Sequence, residues 1–143
     1  PSYLGISLDF IFSNPLENYE LLCRDVKKHF PNAKHVAITL RQSYSADKNG
    51  WSAVLLGKYG FYESVHYNIE NIVERVGAGD SFAAGLIYGL SEFGDSKEAE
   101  ARALEFATAA GCLKHSIQGD FNLSRKEEVE SLVAGNFNGR IQR

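Results

Sequence analysis

Val76-Gly77-Ala78-Gly79-Asp80 places two glycines and a carboxylate directly ahead of an apolar run with helical spacing. The first amide N–H groups of a helix have no partner inside it, and the aligned peptide dipoles add partial positive charge there. Gly77, Ala78 and Gly79 carry almost no side chain, so an anion can approach those donors closely. The next residue, Asp80, can accept a proton from a hydroxyl that attacks a bound phosphate. Phosphoryl transfer asks for these parts: donors that stabilise the anion, a metal that balances charge, and a group that orients and deprotonates the nucleophile. No Gly-Lys-Ser/Thr follows, so the stretch is not a Walker A loop. On the residues alone, a tight turn with Asp80 as an ordinary helix cap accounts for the same pentapeptide equally well.

Elements on either side must hold that junction in place. Residues 5–12 read as a strand. Asn14 as a cap, Pro15 at the first helical position and Glu17 in a capping-box pattern then start a helix. Its Tyr19, Leu22, Cys23, Val26 and Phe30 share one face, and Pro31 stops it. Residues 35–40 form a short apolar run of the type found in buried parallel strands. Asn49-Gly50 is a hairpin-type turn signal. Two β-rich runs, starting at Trp51 and Phe61, flank Lys58-Tyr59-Gly60 and predict a hairpin. Helices are predicted over 80–93 and 97–115, the second rich in Ala, with Asp95-Ser96 between them. Ser124 and Glu127 make another capping box, opening a short helix with Val129, Leu132 and Val133 on one side. Strands alternating with helices predict an α/β layer structure with a mostly parallel sheet.

With 143 residues, the chain is long enough for one domain with a real core. Its 44% apolar and 23% charged content is that of an ordinary globular protein. A formal charge of -3 without a basic stripe argues against a nucleic-acid or anionic-membrane surface. No apolar run approaches the length of a membrane-spanning helix. Cys23 and Cys112 lie outside any CxxC or Cys/His cluster, which predicts buried free thiols and a reducing, cytoplasmic setting. A start at Pro1 and the absence of Met fit a segment of a longer protein.

Several other residues carry a structural expectation rather than a chemical one. His29, His35, His66 and His115 show no ligand spacing and read as surface or packing residues. Trp51, Tyr59, Phe61 and Tyr62 read as the packed face of the hairpin. Gly85 and Gly89, four apart, predict close packing of their helix on the sheet.

The stretch from Val76 to Leu90 closely resembles the carboxyl-terminal signature of the ribokinase-like (PfkB) family of carbohydrate kinases, Asp-Thr-x-Gly-Ala-Gly-Asp followed by an apolar helix. The resemblance continues outside it. His35 to Ser43 resembles the strand that ends near the nucleotide phosphates, and 107–122 resembles the helix and turn bordering the adenine site. Within the family the details look most like 2-keto-3-deoxygluconate kinases, through Arg75 and Gly119-Asp120-Phe121-Asn122.

That resemblance implies a ribokinase-like three-layer sandwich, of which residues 1–143 supply the carboxyl-terminal, nucleotide-binding portion. The family's amino-terminal sugar-binding half and small β lid have no counterpart here. It implies ATP-dependent phosphoryl transfer to a hydroxyl of a small sugar or sugar acid, with 2-keto-3-deoxygluconate first. Fructose or a nucleoside as acceptor, or a non-catalytic nucleotide-binding module, are the rival readings. By position, Asp80 is the implied base, and Gly77, Ala78 and Gly79 the implied anion hole. Thr39, Arg41 and Thr108 fall near the nucleotide, and Glu74 and Asp120 at a metal or pocket position. Mg-ATP is the implied donor, with the monovalent cation frequent in the family as an addition. Glu74-Arg75 departs from the usual Asp-Thr, Leu40-Arg41 from Leu-Gly, and Thr108 from Asn. A cut surface of this kind also predicts self-association.

Overall fold

The computed structural model describes residues 15–45 and 48–135. The strand expected over 5–12 and the cap Asn14 lie outside the described residues. The chain opens with helix α1, Pro15–His29, with Pro15 at its first position and Lys27, Lys28 and His29 in its last turn. Pro tolerates the N-terminal turn because its missing N–H has no helical partner there, and the basic last turn complements the helix dipole.

Four strands follow: β1 (Val36–Ser43), β2 (Lys48–Leu56), β3 (Phe61–Glu63) and β4 (Tyr67–Glu70). β2 is the centre of the sheet. β1 flanks one edge of it, while β3 and β4 share the other. All pairings among the described strands are antiparallel, which corrects the expectation of a mostly parallel sheet and of 35–40 as a parallel strand. The reason is the connections. Parallel neighbours need a crossover of a dozen or more residues. Only residues 44–47 join β1 to β2, and such a link can return the chain only antiparallel.

The hairpin across Lys58-Tyr59-Gly60 forms as expected, closed by the Gly57 N–H on the Gly60 carbonyl at 2.9 Å. Its second arm breaks at Ser64, whose Oγ takes the Ala53 N–H at 2.9 Å, and resumes as β4. Asn49-Gly50 is not a turn. It lies inside β2, opposite Ser43 and Gln42. Gly50 allows a close approach instead: a side chain there would meet the exposed His66 ring at 2.7 Å and Gln42 Cβ at 3.2 Å, and the ring would have to move aside.

Three helices complete the fold: α2 (Ala78–Glu92), α3 (Lys97–Lys114) and α4 (Lys126–Val133). Ser96 caps α3 by accepting the Ala99 N–H at 3.1 Å. The capping pair of α4 is displaced by one residue from Ser124 and Glu127. The Arg125 N–H donates to Glu128 Oε2 at 2.7 Å, and Ser124 is instead held by Asn122 Oδ1 at 2.9 Å.

Alternation along β2 divides the core in two. Val54 and Leu56 face α1, where they pack with Cys23 and, on β1, Val36, Ile38 and Leu40. Trp51, Ala53 and Leu55 face the larger cluster made with α2, α3 and Val129 of α4. The sheet is therefore a middle layer between helices. Gly85 and Gly89 serve packing, but against α3 rather than the sheet: side chains there would stand 3.0 Å from Ala107 Cα and 2.8 Å from Ala103 Cα. Small residues on both helices let the two backbones close up. Cys23 and Cys112 are free thiols. Burial pushes the Cys23 thiol up to about 11 and Cys112 up to about 12, so both stay protonated. No described helix is long and apolar enough to cross a membrane.

Candidate functional site

The loop between β4 and α2 ends at Gly77, which is the N-cap of α2 in the left-handed region, φ 81° and ψ -3°. Its carbonyl receives the first helical bond, from the Ser81 N–H at 2.9 Å. No side chain caps this terminus. Among the described residues, no acceptor takes the N–H groups of Ala78, Gly79 or Asp80. Three donors and the positive end of a 15-residue helix are thus left open.

The three small residues do different jobs. Gly77 answers to backbone conformation, since only glycine adopts its φ freely. It also answers to crowding, since a side chain there would run into the Asp120 carbonyl oxygen. Ala78 is fully buried, and its methyl joins Phe82 and Leu86 in the core, where it cannot shield the donors. Gly79 faces open space, with nothing within 4 Å of where a Cβ would stand. Asp80 is exposed in the first turn. Gly79 and Asp80 are thus both open to solvent in the first turn of α2.

Two segments hold the terminus from behind. Glu74 Oε1 accepts the Arg75 N–H at 2.9 Å and the Val76 N–H at 3.1 Å, folding the loop onto itself. Those two bonds, Val76 first, hold the Glu74 carboxyl below its ordinary range, with a smaller contribution from the Lys114 charge. Arg75 Nη2 donates to the Ser45 carbonyl at 2.9 Å, tying the loop to the β1–β2 connection. On the other side the His115 carbonyl accepts from Val73 N at 2.9 Å and Glu74 N at 3.2 Å. The turn after α3 then carries Gly119 at φ 82° and brings the Asp120 carbonyl against Gly77.

Of the residues expected from sequence, Gly77, Ala78, Gly79, Asp80, Glu74 and Asp120 come together at this junction. Thr39 and Arg41 are exposed, two apart on β1. The Arg41 guanidinium lies 5.8 Å from the centre of the Trp51 ring, a cation–π arrangement rather than a free projection into solvent. Thr108 corrects its expectation. It is fully buried, and its hydroxyl donates to the Leu104 carbonyl at 2.8 Å, so it has no surface to offer a nucleotide.

Sequence reasoning passed over Lys114, which is wholly buried beside the junction together with His115, one of the histidines read as surface or packing residues. A lysine at the end of a helix reads as a dipole complement, and nothing local in the sequence marks it as interior. Among the described residues, no group of three or more His, Cys, Asp or Glu side chains could hold a metal ion.

Comparison with known proteins bears on the same residues. The pfkB family carbohydrate kinase profile matches residues 12–122. The crystal structure of 2-dehydro-3-deoxygluconokinase from Thermotoga maritima is similar over 92% of this chain, with a TM-score of 0.80 and 43% identity. A PfkB family carbohydrate kinase from Listeria grayi is similar over 93%, with a TM-score of 0.74 and 30% identity. In both cases the chain spans 38% of the length of the solved protein. No curated protein matches the chain.

Proposed function

Because this chain belongs to the pfkB family of carbohydrate kinases, we propose that it forms the phosphate-handling portion of an enzyme that transfers the γ-phosphoryl group of ATP to a hydroxyl of a sugar acid, 2-keto-3-deoxygluconate. The observation that carries this is the uncapped start of α2, open at Gly79, with Asp80 exposed in the same turn. The sugar-acid acceptor is supported by the 43% identity to a protein named for that substrate.

Each part has a defined task. The N–H groups of Ala78, Gly79 and Asp80 receive the phosphoryl oxygens and stabilise the charge that gathers on them during transfer. Asp80 accepts the proton of the attacking hydroxyl and orients its oxygen along the line of displacement. Bound Mg²⁺ would offset phosphate charge. Arg41, exposed on β1 beside Trp51, would add positive charge on the nucleotide side. Asp120, whose carbonyl lies beside Gly77, would border the pocket.

Because the chain spans 38% of its relatives' length, turnover is measured on the native polypeptide that contains it. Phosphoryl transfer from Mg-ATP is compared for 2-keto-3-deoxygluconate, fructose and a nucleoside, with the unaltered protein and Asp80→Asn. The expected result is turnover of the sugar acid alone. Asp80→Asn should retain ATP affinity and lose about 10²–10⁴ in kcat. Equal turnover of fructose or the nucleoside would remove the substrate assignment. Near-normal turnover by Asp80→Asn would remove the base.

A further inference from the structure

Among the described residues Lys114 is the only buried lysine or arginine, and none of its surface reaches solvent. An ammonium has three donors. One is used, on the Ile117 carbonyl at 3.0 Å. Taking such a charge out of water with one hydrogen bond is costly, and an apolar side chain of similar length would fill the same space more cheaply. The location of the charge therefore needs an explanation beyond packing.

Two contacts and one longer-range charge influence define that location. The Lys114 side chain runs under the α2 N-cap, its Cε 3.2 Å from where a Gly77 side chain would begin. Its ammonium holds Ile117, in the turn whose next carbonyls reach Asp120 and press on Gly77. Its charge acts on Glu74, which folds the loop leading to Gly77. Lys114 thus sits between the two segments that meet at the open helix terminus, and it is positive where an anion is to be received.

We propose that Lys114 is a positioning residue for the phosphate cradle: bonded to Ile117 and lodged beneath Gly77, it fixes the start of α2 and sets its ammonium behind the open amides. The inference rests on the reading of that terminus as a phosphate site. It extends that reading by making the charge behind the cradle as necessary as the donors in front.

The experiment compares the affinities of ATP and adenosine for the native polypeptide and for Lys114→Met, which keeps length and loses charge. A purely structural role would weaken both ligands together. The expected result is about a tenfold loss for ATP with adenosine changed less than twofold, and partial recovery of ATP affinity in Lys114→Arg. Equal losses for both ligands, or no loss, overturn the proposal. An unaltered protein that binds ATP no better than adenosine overturns the phosphate reading itself, and this inference with it. Should Lys114→Met fail to fold, the ¹⁵N resonance of the Lys114 ammonium in the unaltered protein decides. It should move when tripolyphosphate saturates the site, and a resonance that stays in place overturns the proposal.

Discussion

The carbonyl oxygen of Asp120 occupies the space into which any side chain on Gly77 would project. The contact joins the turn after α3 to the first residue of the α2 cap, and Gly77 has φ 81° as well. Gly77→Ala should therefore suffer twice, through a left-handed conformation costing about 1–2 kcal/mol and through displacement of the Asp120 turn. Gly79 is the control, because nothing lies within 4 Å of its missing Cβ. Gly79→Ala should leave stability unchanged or raise it by about 0.5 kcal/mol, yet weaken ATP by placing a methyl group over the donors. Urea denaturation and ATP titration of both variants check this. A Gly79→Ala protein with unaltered ATP affinity would show that no anion sits there.

The α2–α3 contact makes a second, purely structural prediction. A side chain on Gly89 would begin 2.8 Å from the Ala103 backbone, which cannot swing aside as a flexible side-chain tip can. Gly89→Val should cost about 1–3 kcal/mol by overpacking and prise the helices apart. Paired with Gly94→Ala in the loop, where no atom lies within 4 Å but φ is 100°, it separates crowding from backbone strain. Thermal melts should show the larger loss for Gly89→Val. The reverse order would mean that the seam is looser than described.

Acid should destabilise the fold in two successive windows. Burial, the largest influence, pushes the His115 imidazole below its ordinary value, so the folded protein keeps it neutral while the unfolded chain takes up a proton. The stability that follows is present above the unfolded value, about 6.5. It is lost as pH falls toward the lowered folded value. Glu100 acts lower down. Burial raises its carboxyl, but donors from Lys58 N, Tyr62 Oη, Tyr59 N and His35 outweigh that and leave it lowered overall. Its contribution is therefore present above the unfolded carboxylate value, about 4.3, and lost below it. Denaturation midpoints followed from pH 8 down to about pH 2 should decline in both steps. His115→Phe should flatten the upper one only. A His115→Phe profile that still falls between pH 6.5 and pH 5 would place that proton uptake elsewhere.

How much of this was legible in the sequence depended on whether the deciding contact was local. Helix α3 was readable because Ser96 and the Ala-rich period lie within a few residues of one another. The small residues of the cradle were readable for the same reason. Strand direction was not, because the β1–β2 link at 44–47 only becomes short once β1 is known to run on to Ser43. Asn49-Gly50 misled because a dipeptide that permits tight turns also permits close approach, and here His66 was the neighbour. Lys114 was invisible, since its burial is made by a turn that folds back from 115–120.

Thr108 supplies the last test, because the resemblance and the geometry disagree about it. Its place in the family pattern suggested a nucleotide contact. In the fold it is wholly enclosed, and its hydroxyl reaches back to Leu104 within α3, next to the Trp51 Nε1–H bond on its own carbonyl at 3.0 Å. A hydroxyl bonded to the carbonyl four residues earlier adds little to a helix. Val has the same branched shape, so replacement removes that one bond and leaves the packing. Thr108→Val should therefore change stability by less than about 1 kcal/mol, the net value of a single hydrogen bond, and leave ATP affinity unaltered. Thr108→Asn, which restores the family's residue, must force a larger amide into closed space and should be the more destabilising of the two, with no gain in ATP affinity. Tighter ATP binding by Thr108→Asn would mean that this part of α3 opens toward the nucleotide after all.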